Sequence, residues 1–89
     1  MGQHFLADSR VLSRIVAAAG VTPRDLVIEI GPGPGALTRR LLDTGAQIVA
    51  VELDPRLAAL LPGRLGNPPN LTVVEGDARK VDLTTLVAP

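Results

Sequence analysis

The sequence predicts an α/β fold, an open parallel sheet of about three strands with helices in the crossovers. Three observations point to it. Short apolar runs of strand length, Leu26 to Ile30, Gln47 to Glu52 and Leu71 to Glu75, alternate with stretches of helical periodicity. The first run is followed by Gly31-Pro32-Gly33-Pro34-Gly35, three glycines at alternate positions, and then by a helix-forming run, which describes a strand-to-helix turn. The second and third runs close on Glu52 and on Gly76-Asp77-Ala78, so acids stand at the carboxyl ends of successive strands, where open α/β sheets hold their ligands.

The elements follow in order. Asp8 or Ser9 can cap a first helix that runs to about Ala19, with Val11, Leu12, Ile15, Val16 and Ala19 on one face and Gly20 as the stop. Thr22-Pro23-Arg24-Asp25 is turn chemistry. Leu26 to Ile30 is nearly continuous in its apolarity, as expected of a central parallel strand buried on both faces. The helix after the glycine loop turns Leu37, Leu41 and Leu42 inward and ends at Thr44-Gly45. After the second strand, Asp54 caps a helix with Pro55 in its first turn and Leu57, Leu60 and Leu61 along it, and Pro62-Gly63 should end or kink it. Asn67-Pro68-Pro69-Asn70 is a turn into the third strand, and Val81 to Pro89 has no strong signal.

Composition narrows the function. With 46% apolar and 20% charged residues in 89, the chain belongs to the folded class and is one small domain or a piece of one. Nine basic residues balance nine acidic ones, so the sequence lacks the strongly positive footprint of a domain that grips nucleic acid alone, and any such contact must be local. Cysteine is absent, which excludes disulfides and thiolate metal sites and makes a cytoplasmic location the default reading. No segment approaches the ~20 apolar residues needed to span a bilayer, so no membrane partner is expected.

The glycine loop suits a nucleotide cofactor. Glycine lets backbone approach a ligand and tolerates positive φ, and Pro32 and Pro34 each fix a φ near −65° and stiffen the loop. Gly31, Gly33 and Ala36 satisfy the dinucleotide fingerprint, with Glu52 at the distance of a ribose-binding acid. Three details favour S-adenosylmethionine instead: Glu29 two positions before the first glycine, the third glycine one step early at Gly35, and Gly76-Asp77-Ala78 after the third strand. A carboxylate at Glu52 can accept from both ribose hydroxyls, and Asp77 can accept from the adenine amine. Without a pyrophosphate in the ligand, nearby acids are tolerable.

Four blocks together carry a resemblance: Gly2-Gln3-His4-Phe5-Leu6 with Asp8, Glu29-Ile30-Gly31-Pro32-Gly33-Pro34-Gly35-Ala36-Leu37-Thr38, Glu52-Leu53-Asp54, and Gly76-Asp77-Ala78. In order and spacing they resemble the start of the ribosomal RNA adenine dimethyltransferase family, over Gly2 to about Ala78. Macrolide-resistance methyltransferases share the layout, but the Gly-Pro-Gly-x-Gly-x-Leu-Thr form is closer to the housekeeping branch that methylates small-subunit rRNA. The resemblance implies the first half of a Rossmann-like class I methyltransferase fold. Residues 1–89 would then be the N-terminal part of the cofactor domain, without its C-terminal half or the RNA-binding helical domain. It also implies that His4 and Leu6 border the methionine end of the cofactor, Gly31 and Gly33 line it, Glu52 holds the ribose and Asp77 the adenine. The partner it implies is small-subunit rRNA or a ribosomal subunit precursor.

The family's target chemistry uses an Asn-x-Pro-aromatic tetrapeptide after a fourth strand, whose ring stacks on the extruded base. Asn67-Pro68-Pro69-Asn70 precedes the third strand and does not end on an aromatic residue, and the chain's sole aromatic is Phe5. No catalytic residue is therefore assigned, and the chain alone is expected to be inactive. Plainer readings stand beside these: Glu52 and Asp77 as strand-end polar residues, His4 as a packed or locally bonded histidine and not a metal ligand, Asp54 as a cap, and Arg10, Arg14, Arg39, Arg40, Arg79 and Lys80 as solvated faces rather than phosphate-steering groups. Two other functions stay open, a non-catalytic cofactor-binding module or engineered minimal domain, and part of a nicotinamide-dependent oxidoreductase. If Leu26 to Ile30 lies at an uncovered sheet edge, a homodimer through that edge is expected.

Overall fold

The computed structural model describes residues 9–82. Its elements run α1 (Ser9–Ala19), β1 (Leu26–Ile30), α2 (Ala36–Leu42), β2 (Gln47–Glu52), α3 (Pro55–Arg64) and β3 (Leu71–Glu75). The strands form one parallel sheet in the order β1-β2-β3. Because both crossovers step the same way across the sheet, α2 and α3 cover the same face. There Leu41, Leu42, Leu61 and Leu65 pack on Ala46, Ile48 and Ala50, with Val16 of α1 and Val27, Leu71 and Val73 at the margin.

The middle strand is β2, buried from Ile48 to Glu52. β1, whose apolarity is that of a central strand, is an edge among the described residues, as the homodimer expectation supposes, with Leu26 42% and Ile30 55% exposed. Continuous apolarity marks a parallel strand, but which strands flank it is decided by distant parts of the chain.

Local chemistry sets the element ends. α1 stops at Gly20, whose N–H donates to the Ala17 carbonyl at 3.1 Å and whose φ of 67° turns the chain out of the helix. Its inward face is narrower than the sequence pattern: Leu12 is buried and Val11 and Val16 half-buried, while Ile15 and Ala19 are exposed. The Thr22 N–H donates to Asp25 Oδ2 at 2.7 Å, closing the turn into β1. At α3, Asp54 Oδ1 accepts from the Arg56 N–H at 2.8 Å, as a cap should, with Pro55 beside it.

Of the end or kink expected at Pro62-Gly63, the end does not occur there, and α3 continues to Arg64. Pro62 has no N–H to donate, yet the next turn places Leu65 in the core beside buried Leu61, and that burial outweighs one lost backbone bond. Of the leucines along α3, Leu61 is buried and Leu60 exposed. At the turn before β3, the Asn70 side-chain amide donates to the carbonyls of Ala46 at 2.8 Å and Leu42 at 3.3 Å, tying the turn to the end of α2 and the start of β2.

Candidate functional site

The register brings the singled-out residues together. Ile30 lies opposite Val51 and Glu52 opposite Glu75, so the glycine loop leaving β1, the acid ending β2 and the turn leaving β3 meet at the carboxyl edge of the sheet. The Gly31 N–H donates to the Val51 carbonyl at 2.9 Å and the Gly76 N–H to the Glu52 carbonyl at 2.8 Å, extending both ladders past the last strand residue.

Glu52 is the hub. It is only 6% exposed, and its two oxygens are held from different sides. Oε1 accepts from the Gly33 N–H at 3.1 Å and Oε2 from the Asp54 N–H at 2.9 Å. A carboxylate has about four lone-pair positions, so acceptor capacity remains for a pair of hydroxyls. The bond to Gly33 also fixes the loop against β2.

Within the loop the three glycines do different things. Gly31 and Gly33 have φ of 67° and 56°, and a Cβ built on either meets nothing within 4 Å, which leaves backbone facing open space. Gly35, with φ 93°, begins α2, and a Cβ there would lie 2.8 Å from Leu61 Cδ1. The first two are therefore free for a ligand and the third serves packing of α2 on α3.

Glu29, at the end of β1, is buried, and its Oε1 accepts from the Thr38 hydroxyl at 2.6 Å. Burial pushes its carboxyl above the ordinary value, and the Thr38 bond partly opposes this. The sequence marked Glu29 as diagnostic without finding its partner, which lies across the glycine loop on α2. Asp77 is paired within its own turn: its Oδ1 accepts from the Arg79 N–H at 2.9 Å and from Nε at 3.0 Å, and its Oδ2 accepts from Nη2 at 2.7 Å. The Arg79 guanidinium, and then the Arg79 N–H, hold the Asp77 carboxyl below the usual range. An Asp with a donor two residues later is a local signal, so this pair was findable in the sequence. His4 and Leu6 lie outside the described residues.

A groove of about 390 Å³ lies elsewhere, between the ends of α1 and α2, lined by Ser13, Val16, Val21, Arg40, Asp43 and Thr44 among others. Among the described residues no buried side-chain polar atom lacks a partner, so nothing in that groove calls for a ligand, and the convergent loop and acids define the better site. Also among the described residues, no group of three or more His, Cys, Asp or Glu could hold a metal, and no helix is long and apolar enough to cross a membrane.

Known proteins resemble this chain in sequence and in fold. A ribosomal RNA small subunit methyltransferase A from Pseudomonas savastanoi is 48% identical over 87 residues, 98% of this chain and 32% of that protein. The chain thus spans about a third of the length of such curated relatives. The crystal structure of the 23S rRNA methyltransferase ErmE superposes with a TM-score of 0.76 at 40% identity, covering 83% of this chain and 30% of that one. The glycopeptide N-methyltransferase MtfA, solved with S-adenosyl-L-methionine, superposes at 0.71 with 30% identity, over 88% and 36%. The fold is that of the Rossmann-like class I methyltransferases, of which these three parallel strands and their helices form a part. Residues 1–88 of the chain match the ribosomal RNA adenine dimethylase family, and the chain belongs to that family.

Proposed function

We propose that this chain is the S-adenosylmethionine-binding portion, residues 1–89, of an enzyme that dimethylates exocyclic adenine amines in small-subunit rRNA. The observation that carries the reading is Glu52, an acid held by the N–H groups of Gly33 and Asp54 beside an open glycine loop. Glu52 accepts from the two ribose hydroxyls, Gly31 and Gly33 let backbone lie along the methionine end, and Asp77 accepts from the adenine amine. His4 and Leu6 complete the methionine end by family resemblance. The chemistry the bound group supplies is a methyl carried on a positively charged sulfur. These residues therefore bind and orient, and need supply no covalent intermediate.

The small-subunit assignment leans on relatives such as those from Pseudomonas and Methylococcus, whose names specify that subunit. A cytoplasmic location is part of the same proposal, supported by an rRNA substrate, free or in a ribosomal precursor. A two-fold dimer joining β1 edges belongs to the same proposal, supported by the exposure of Leu26 and Ile30. The cofactor class is tested by calorimetric titration of the chain with S-adenosylhomocysteine and, separately, with NAD. Saturable binding of the first and none of the second is expected. The reverse would return the loop to its dinucleotide reading.

A further inference from the structure

We propose that Arg79 competes with the adenine for Asp77 and so lowers the affinity of the site for its cofactor, an inference that rests on the adenine assignment of Asp77 above. One backbone N–H helps to aim the Asp77 carboxylate. The Arg79 N–H donates to Oδ1 at 2.9 Å, and the N–H groups of Lys80 and Val81 donate to the Asp77 carbonyl at 2.8 and 3.0 Å. These three donors are main-chain N–H groups, so they do not require a guanidinium at position 79.

What the guanidinium does is occupy acceptor positions. Nε lies 3.0 Å from Oδ1 and 3.2 Å from Oδ2, and Nη2 lies 2.7 Å from Oδ2. With the backbone donor, each carboxylate oxygen takes two contacts, the weakest being Nε to Oδ2. An arriving amine donor must share Oδ2 or displace the fork. The Arg79 side chain is 86% exposed while that of Asp77 is 17% exposed, so the pair is an ion pair at the solvent boundary. Pairs of that kind are weak, and displacement therefore costs a few-fold in affinity rather than closing the site.

The test is calorimetric titration with S-adenosylhomocysteine of the unaltered chain, Arg79→Met, Asp77→Asn and the double variant. Methionine keeps an apolar stem without the fork, at a position exposed enough for the fold to tolerate it. Arg79→Met should bind about two- to fivefold more tightly, and this gain should vanish in the Asp77→Asn background. In nitrogen-proton NMR spectra the Arg79 Nε–H resonance of the unaltered chain should move toward that of a solvated arginine on saturation, a readout that a purely structural role would not give. Equal or weaker binding by Arg79→Met, with the unaltered chain binding normally, overturns the competition alone. Unchanged affinity in Asp77→Asn overturns the adenine assignment and the competition with it, and no binding by any variant overturns the cofactor reading itself.

Discussion

Glu29 and Thr38 meet in a buried setting at 2.6 Å, so a charge without free access to water relies on a hydroxyl for a partner. Replacing Thr38 by valine keeps the shape and removes the donor. The variant should lose about 1.5–3 kcal/mol at neutral pH, the range for a hydrogen bond to a charged group, measured by urea unfolding. The loss should depend on pH in a defined direction. Because the folded carboxyl titrates above its ordinary 4.5, the folded state binds the proton more tightly than the unfolded chain. The cost of burying the charge is thus full above the raised value and is relieved as pH falls through it. The deficit of Thr38→Val should shrink over that interval, and Glu29→Gln should remove this part of the pH dependence. A deficit that is constant from neutral pH to 4.5 would contradict the assignment. At this scale the sequence was legible wherever a role needed only near neighbours. Asp54 was recognisable as a cap because its partner, Arg56, is two residues away, whereas Thr38 is linked to Glu29 only by the fold of the intervening loop.

The glycine loop separates two demands at the scale of elements. Gly35 lies at positive φ with Leu61 and Leu65 against it, while Gly33 lies at positive φ beside open space. Alanine at either position carries a backbone penalty of about 1–3 kcal/mol. Gly35→Ala should in addition disturb the packing of α2 on α3. Gly33→Ala should lose more affinity for S-adenosylhomocysteine for the stability it gives up, because its methyl points into the open space proposed for the ligand. Urea unfolding paired with calorimetry checks the contrast, and equal ratios of lost affinity to lost stability in the two variants would contradict it. The strand limits Leu26 to Ile30, Gln47 to Glu52 and Leu71 to Glu75 were all readable, since each apolar run is bounded by glycine, proline or acidic turn residues. The end of α3 was not. Pro62 is a local stop signal, and the core contact of Leu65 that overrides it is a tertiary fact.

At the largest scale, the consequential feature is the side of β1 that pairs with no strand among the described residues. A chain of this size removes only roughly 60–65% of its unfolded surface from water even when compact, so an exposed parallel edge bearing Leu26 and Ile30 weighs on both stability and solubility. Light scattering over a concentration series should show self-association, or else melting temperatures should rise with added S-adenosylhomocysteine. A monomer that unfolds cooperatively and is indifferent to ligand would contradict this. The 89-residue chain should also transfer no radiolabelled methyl groups to immature small ribosomal subunits, since it carries no Tyr, Trp or Asn-x-Pro-aromatic segment to hold an extruded adenine. Incorporation would mean that an acceptor site exists within these residues. That β1 would be an edge was legible only through resemblance to a larger sheet, because strand order is set by crossovers and not by any run of residues. The meeting of Gly33, Glu52 and Asp77 was legible in outline, because acids and glycines at strand ends converge in any parallel sheet of this order.

The claim on which the rest depends is that Glu52 holds the ribose of the cofactor. Glu52→Ala, titrated calorimetrically with S-adenosylhomocysteine alongside the unaltered chain and checked for an intact fold by circular dichroism, addresses it most directly. The account predicts a loss of about 1.5–3 kcal/mol in binding free energy, the range for hydrogen bonds to a charged group. An unchanged affinity in a folded variant would contradict it.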